Sequence, residues 1–160
     1  MNNNALKLTF PSGLETILTR EFNAPRDLVF NVWTTPEHVK NWYGLRSSTM
    51  IVCEIDLRVG GAWRYVLQAP DGKQHGHSGV YKDITSPVSL VYSEMYEPLP
   101  DMDYLVTTTF TENNGKTQLQ SHLLYKSQEH RDGHIQAGME FGMNQTLNRL
   151  EELLNSRTAQ

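Results

Sequence analysis

The chain has 160 residues, which is enough for one domain with a sizeable core. Its composition, 20% charged and 38% hydrophobic, is typical of a globular protein. The net charge of −4 and the lack of a Lys/Arg cluster argue against a nucleic-acid partner. No stretch reaches the roughly 20 apolar residues of a membrane span, and the amino terminus lacks the pattern of a signal peptide. The single cysteine, Cys53, excludes an internal disulfide, so we expect a cytoplasmic protein without membrane insertion.

The first third of the chain predicts one strand and two short helices. Residues 1–12 indicate a loosely held lead-in, and residues 14–22 alternate as a strand does. Arg20 falls on the apolar face of that strand, so it lies either at a sheet edge or inward with a partner. Pro25 and the pair Thr35-Pro36 then mark the starts of two helices, the second ending by Gly44.

After Gly44 the pattern changes to period two and predicts six more strands. Asp71-Gly72 and Asn114-Gly115 indicate two of the hairpin turns between them. The predicted strands cover residues 49–56, 62–68, 74–84, 89–97, 103–111 and 116–125. Because strands and helices are segregated along the chain, the order predicts an α+β fold with an antiparallel sheet.

The last third predicts a long amphipathic helix over residues 128–155, with Ser127 as its N-cap. Two features of its apolar stripe are unusual: glycines lie inside it, and its middle is occupied by Met139 and Met143. Either the helix packs closely on the sheet with methionine as filler, or it stands off the sheet and borders a cavity.

Together these elements predict a helix-grip fold, in which a curved antiparallel sheet wraps around the long C-terminal helix and two short helices after the first strand close one end. We expect a single domain over residues 1–160, with its core at about 14–155. Alternation predicts nine inward side chains: Trp63, Tyr65, Leu67, Val106, Thr108, Phe110, Leu119, Ser121 and Leu123. The facing of Tyr81 and Tyr92 stays open, because glycines and possible bulges intervene.

Several segments resemble proteins of the activator-of-heat-shock-protein-90-ATPase-homologue-like family, in the START-like (SRPBCC, birch-pollen-allergen-like) superfamily. They are residues 20–30, 33–37, 42–44, 56–65, 79–84 and 138–154. The resemblance implies a helix-grip fold with a hydrophobic cavity between helix and sheet, no metal and no cofactor. One departure is Met143, where relatives often carry Trp.

We therefore expect a protein that binds a small hydrophobic or aromatic molecule between the sheet and the C-terminal helix. The predicted ligand-binding side chains are aromatic or flexible, with one glycine: Trp63, Tyr65, Tyr81, Tyr92, Phe110, Met139, Gly142 and Met143. Two alternatives are kept. One is a cyclase- or lyase-type enzyme using cavity acids and tyrosines, although no catalytic residue is predicted. The other, implied by the family name, is a regulator of a chaperone ATPase. The chain leaves no room for the separate chaperone-binding domain of the name-giving proteins, so a chaperone partner is less favoured.

Three other groups of residues have side chains that could act as a nucleophile, a metal ligand or an acid and base. Cys53 lies in a strand pattern with no positioned base and indicates an inert thiol. The histidine pairs 75/77 and 130/134 each share a face, but no tight ligand cluster supports a metal site. Glu54 and Asp56 either point into a cavity or, for Asp56, hold a turn with Arg58.

Overall fold

The computed structural model of the protein describes residues 5–158. Eight antiparallel strands form one sheet in the order β1-β2-β8-β7-β6-β5-β4-β3. The strands are β1 (Lys7–Thr9), β2 (Glu15–Phe22), β3 (Thr49–Ile55), β4 (Ala62–Gln68), β5 (Gln74–Thr85), β6 (Ser89–Tyr96), β7 (Tyr104–Asn113) and β8 (Lys116–Leu124). The helices are α1 (Arg26–Thr34), α2 (Pro36–Val39), α3 (Gln128–Gln136) and α4 (Met139–Thr158), with a 3₁₀ turn at Pro100–Met102.

The predicted α+β helix-grip fold is confirmed: the sheet is curved, and the helices lie against its concave face. One strand was missed. Within the predicted lead-in, β1 pairs with β2, placing Leu8 opposite Leu18. Three residues are too few to show a period of two, so this strand leaves no clear signal in the sequence.

The inward assignments made from alternation are confirmed, because all nine side chains are buried. Tyr81 and Tyr92 also face inward, directly opposite each other on β5 and β6. A register shift between Tyr81 and Asp83 keeps Tyr81 on this face, which explains why alternation alone did not settle it.

The long C-terminal helix is confirmed, but it begins at Met139 rather than at Gln128. Residues 128–136 form a separate helix, α3, whose N-cap Ser127 accepts a hydrogen bond from the His130 amide as predicted. The two helices part at Gly138, which has a φ of +93°. That left-handed conformation favours glycine and interrupts the helical path, so the glycine acts here as a helix stop.

Arg20 resolves as an inward charge with partners. It is 2% exposed on β2, and its guanidinium donates to Asn148 Oδ1 at 2.7 Å and to Glu151 Oε2 at 3.0 Å, both on α4. Leu147, Leu150 and Leu154 are buried on the same helix. We call this the packed end of α4.

None of the helices within residues 5–158 is both long enough and apolar enough to cross a membrane.

Candidate functional site

The concave face holds a small cavity of about 30 Å³, which we call the aromatic pocket. Its wall consists of seven aromatic side chains and one carboxylate: Trp33, Trp42, Tyr43, Trp63, Tyr65, Tyr81, Tyr92 and Glu94. A cavity of this volume has room for water and is far smaller than the roughly 300–1,000 Å³ of a pocket for a drug-sized ligand. The aromatic rings therefore fill most of the space between sheet and helices.

The sheet supplies five of these residues through its period of two. Trp63 and Tyr65 are alternate residues of β4, and their rings lie 4.8 Å apart. On β6, Tyr92 and Glu94 are likewise alternate residues, so both point to the concave face. Trp63 meets Tyr92 edge to face at 5.9 Å. These contacts hold the rings in fixed orientations around the cavity.

The segment from α1 to β3 supplies the other three rings. Trp42 donates its indole N–H to the Val32 carbonyl at 3.0 Å and packs on Trp33 at 4.9 Å. Tyr43 packs on Tyr65 at 4.8 Å, so it joins this segment to the sheet.

Arg149 of α4 fixes the chain that carries Tyr43. Its guanidinium donates to the carbonyls of Asn41, Tyr43 and Gly44 at 3.0, 3.2 and 2.9 Å. These carbonyls follow the short α2 helix, and a cation is favourable at such a helix end. The position of the Tyr43 ring therefore depends on α4.

Trp63 lies unusually close to the backbone of the next strand. A Cβ added to Gly79 would stand 2.8 Å from Trp63 Nε1 and 1.8 Å from the Ser93 carbonyl oxygen, so only glycine fits at this position. The Trp63 N–H is buried and has no acceptor among the described residues. An unpaired buried donor is costly, so this N–H is a polar group that the packing around Trp63 leaves unsatisfied.

Glu94 is the one acidic group of the pocket. Its Oε2 accepts a short hydrogen bond from the Tyr104 hydroxyl, the neighbouring inward residue on β7. Within residues 5–158 no ion pair reaches this carboxylate and no donor reaches Oε1. Burial raises the pKa of Glu94, and the bond from Tyr104 only partly opposes that shift.

Beside Glu94, four rings form a tyrosine–histidine cluster under α3, composed of Tyr104, Tyr125, His130 and His134. The Tyr125 hydroxyl and His134 Nδ1 are 2.6 Å apart, and the Tyr104 and Tyr125 rings are 5.1 Å apart. Burial lowers the pKa of His134 to about 4, so this imidazole is neutral near pH 7. Burial also lowers the pKa of His77 to about 4, and its ring lies 6.3 Å from that of Tyr43.

The structure places the predicted ligand-binding residues in two groups. Trp63, Tyr65, Tyr81 and Tyr92 line the pocket. The other four do not line it: Phe110 is fully buried behind Trp33, and the rest lie on the first turns of α4, namely Met139, Gly142 and Met143.

Four lining residues were missed. Trp33 and Trp42 have the helical spacing that core residues also have, and Tyr43 lies in a turn without periodicity, so no sequence pattern marks these three as lining residues. Glu94 had a usable signal. Leu90, Tyr92 and Glu94 share one face of the predicted strand, so alternation places the carboxylate beside Tyr92.

The remaining candidates lie outside the pocket. Cys53 is half-buried, and burial raises the pKa of its thiol to about 11, as an inert cysteine requires. Glu54 is exposed on β3, and exposed Asp56 pairs with Arg58 at 2.9 Å, so of the two interpretations the turn-holding one applies.

The predicted histidine pairs face tyrosines. His75 Nδ1 lies 2.7 Å from the Tyr96 hydroxyl, and His130 and His134 belong to the tyrosine–histidine cluster. In the part of the chain that the structure describes, no three His, Cys, Asp or Glu side chains converge as metal ligands would.

The curved sheet and the long C-terminal helix define a START-like helix-grip protein. The aromatic pocket lies between the sheet and the segment from α1 to β3, and no residue of α4 lines it. The family of "Activator of Hsp90 ATPase homolog 1-like protein" matches residues 23–155, and the chain belongs to this family. No curated protein shows significant sequence similarity to the chain.

Solved structures share the fold. A crystal structure of a Rhodobacter sphaeroides protein is 24% identical, with a TM-score of 0.88 over 95% of this chain and 99% of that one. A Staphylococcus epidermidis protein solved by NMR is 27% identical, with a TM-score of 0.80 over 94% of each chain. An AHSA1-like protein from Aeromonas hydrophila is 19% identical, with a TM-score of 0.67 over 86% of this chain and 93% of that one. Identities this low support the fold and not a particular ligand.

Proposed function

We propose that the protein binds a small hydrophobic or aromatic molecule in the aromatic pocket. The observation that carries this proposal is a carboxylate in an otherwise aromatic wall: Glu94, whose Oε1 receives no donor from the described residues. Ligand sites combine an apolar lining with a few polar groups that fix orientation. A lining made only for stability would be expected to satisfy or omit these groups.

The small volume of the pocket determines which side chains have to move when a ligand binds. A guest larger than a water molecule has to displace a ring, and the half-buried rings are the ones with room to turn. These are Trp33 and Tyr43, both on the segment that joins α1 to β3. Tyr65 and Tyr92 are buried within the sheet and form the fixed wall. We therefore expect ligand entry from the side of Tyr43.

A binding screen with a matched pair of variants tests the proposal. Native mass spectrometry and thermal shift would be run with lipids, flavonoids and polyketide-like compounds, and hits would be titrated by isothermal calorimetry. Tyr43→Ala removes a lining ring, so we expect it to weaken small hits at least fivefold. Phe141→Ala removes a ring that is 63% exposed on α4 and does not line the pocket, and it should leave affinity unchanged. Absence of any hit, or equal affinity in both variants, would refute binding at this site.

A second candidate function is lyase- or cyclase-type catalysis, and the Glu94–Tyr104 pair favours it. A carboxyl whose pKa is raised by burial is closer to the range in which general acids and bases work near neutral pH. If a turnover is found for any hit, Glu94→Gln should lower kcat by at least 100-fold while leaving the KM within a fewfold. An unchanged kcat would exclude Glu94 as the proton-transfer group.

A further inference from the structure

We propose that the ligand of the aromatic pocket carries an organic cation, a protonated or methylated amine, which pairs with Glu94 and packs against the surrounding rings. This inference rests on the proposed function and adds the chemical class of the ligand. It combines three observations: the aromatic wall, the carboxylate without a positive partner, and the size of the enclosed space.

The wall presents ring faces and edges from several directions. Tyr43 and Tyr65 lie 4.8 Å apart, Trp63 lies 4.8 Å from Tyr65, and Tyr81 meets Tyr92 at 6.1 Å. The face of an aromatic ring carries partial negative charge, and a cation within about 6 Å of the ring centre is attracted to it, most strongly by Trp. Several rings around one small space are the arrangement that recognises ammonium and methylammonium groups.

The chain supplies no cation for the carboxylate of this space. Among the described residues Glu94 has one hydrogen bond, from Tyr104, and no ion pair with Lys, Arg or His. Burial lowers the pKa of His77 and of His134 to about 4, so neither of these imidazoles carries a positive charge near pH 7. Glu94 is half-buried, and a partly desolvated carboxylate is stabilised by a cationic partner. A cationic guest with an N–H would gain both the Coulombic attraction and the hydrogen bond to Oε1.

The same carboxylate separates three classes of guest. A neutral apolar molecule would remove water from Glu94 without replacing the lost interactions. A carboxylic acid would place a second negative charge beside it. Only a cation is stabilised by both the rings and the carboxylate. The cavity of about 30 Å³ admits an ammonium-sized group as it stands, whereas the rest of the molecule has to displace one of the half-buried rings, Trp33 or Tyr43.

Three probes with a common phenylethyl skeleton test this inference by calorimetry at pH 7.5: phenethylamine, 2-phenylethanol and 3-phenylpropionate, which are cationic, neutral and anionic. Wild-type protein should bind the amine at least tenfold more tightly than the alcohol, and the acid most weakly. Glu94→Gln should reduce amine affinity at least tenfold, to the level of the alcohol. Glu54→Gln is the matched control, because it removes the same charge from an exposed position on β3 and should change nothing.

The outcomes separate the two proposals. Equal affinity for amine and alcohol, or an amine affinity that Glu94→Gln does not change, would refute the inference that the ligand is a cation. Binding in the aromatic pocket would not be refuted by that result. No binding of any probe, together with a failed ligand screen, would overturn the pocket itself and this inference with it. If Glu94→Gln does not fold, the order of the three probes on wild-type protein decides the question alone.

Discussion

Two charged side chains point to the concave face of the same sheet, and the fold treats them differently. Arg20 on β2 is paired with Glu151 and bonded to Asn148 on α4. Glu94 on β6 has only a tyrosine hydroxyl and no positive partner within residues 5–158. Arg20 is buried and has its partners within the chain, whereas Glu94 is half-buried and its partial loss of hydration is a cost that stability does not explain. The contrast separates the packed end of α4 from the pocket.

The largest expected effect comes from breaking the compensated charge. Arg20→Ala removes a buried guanidinium together with its bonds to Asn148 and Glu151, and we expect the free energy of unfolding to fall by about 4 kcal/mol. Urea denaturation followed by tryptophan fluorescence measures it. Arg46→Ala is the control, since Arg46 pairs with Glu152 at an exposed site and its loss should change stability little. A similar loss in both variants would mean that burial of the Arg20 pair is not what matters.

The same contrast extends to the apolar residues along α4. Leu150 is fully buried at the packed end, so Leu150→Ala should cost about 3 kcal/mol through lost contacts and the cavity left behind. Met143 is only half-buried near the pocket, and Met143→Ala should cost about 1 kcal/mol. Equal costs in thermal or urea unfolding would show that the first turns of α4 are packed as tightly as the last ones.

The sequence predicted the sheet well because its signals are local. Alternation placed Trp63, Tyr65 and Phe110 inward without knowledge of the partner strands. It failed where the chain departs from the period: at the three residues of β1, and at Gly138, which was included in one continuous helix. A glycine with a left-handed conformation and a glycine inside a helix look the same in the sequence, so periodicity does not show that the helix is interrupted at Gly138.

The site was predicted less completely, for a different reason. Tyr43 reaches the pocket only because Arg149, more than a hundred residues later, fixes its backbone. No local pattern carries that information. Glu94 could have been predicted from the sequence, because alternation from Tyr92 places it inward. The two carboxylates proposed from the sequence, Glu54 and Asp56, are instead exposed at β3.

Removing the charge of Glu94, which has no positive partner among the described residues, should change the free energy of unfolding in the opposite direction from removing Arg20, which has its partners on α4. Glu94→Gln keeps an oxygen for the Tyr104 hydroxyl and removes the half-buried charge, so at pH 7.5 we expect stability to rise by about 1 kcal/mol. A loss of stability comparable to that of Arg20→Ala would contradict the comparison.

The gain should also depend on pH. The folded pKa of Glu94 is raised, so the folded state binds more protons than the unfolded state once pH passes the unfolded value of about 4.3. The stability of the wild type therefore decreases as pH rises from the unfolded pKa to the folded pKa of Glu94. The Glu94→Gln variant has no carboxyl at this position, so its stability does not decrease for this reason. The tyrosines facing this carboxylate, Tyr43, Tyr92 and Tyr104, have pKa values raised above 10 by burial and do not titrate there. The advantage of the variant should shrink towards pH 4, as measured by urea unfolding at several pH values.

The smallest effect concerns Gly142, which was predicted to contact ligand. A Cβ at this position would meet nothing within 4 Å, and the residue is inside α4, so Gly142→Ala should raise stability by about 0.7 kcal/mol. Gly138→Ala is the matched comparison: its φ of +93° disfavours a Cβ, so it should lose about 1 kcal/mol. The affinity of phenethylamine then tests the position. If Gly142→Ala stabilises the fold and leaves affinity unchanged, the first turns of α4 lie outside the ligand's path. If Gly142→Ala raises stability but weakens affinity, the added methyl group lies in the path of the bound ligand, and Gly142 contacts ligand as the sequence predicted.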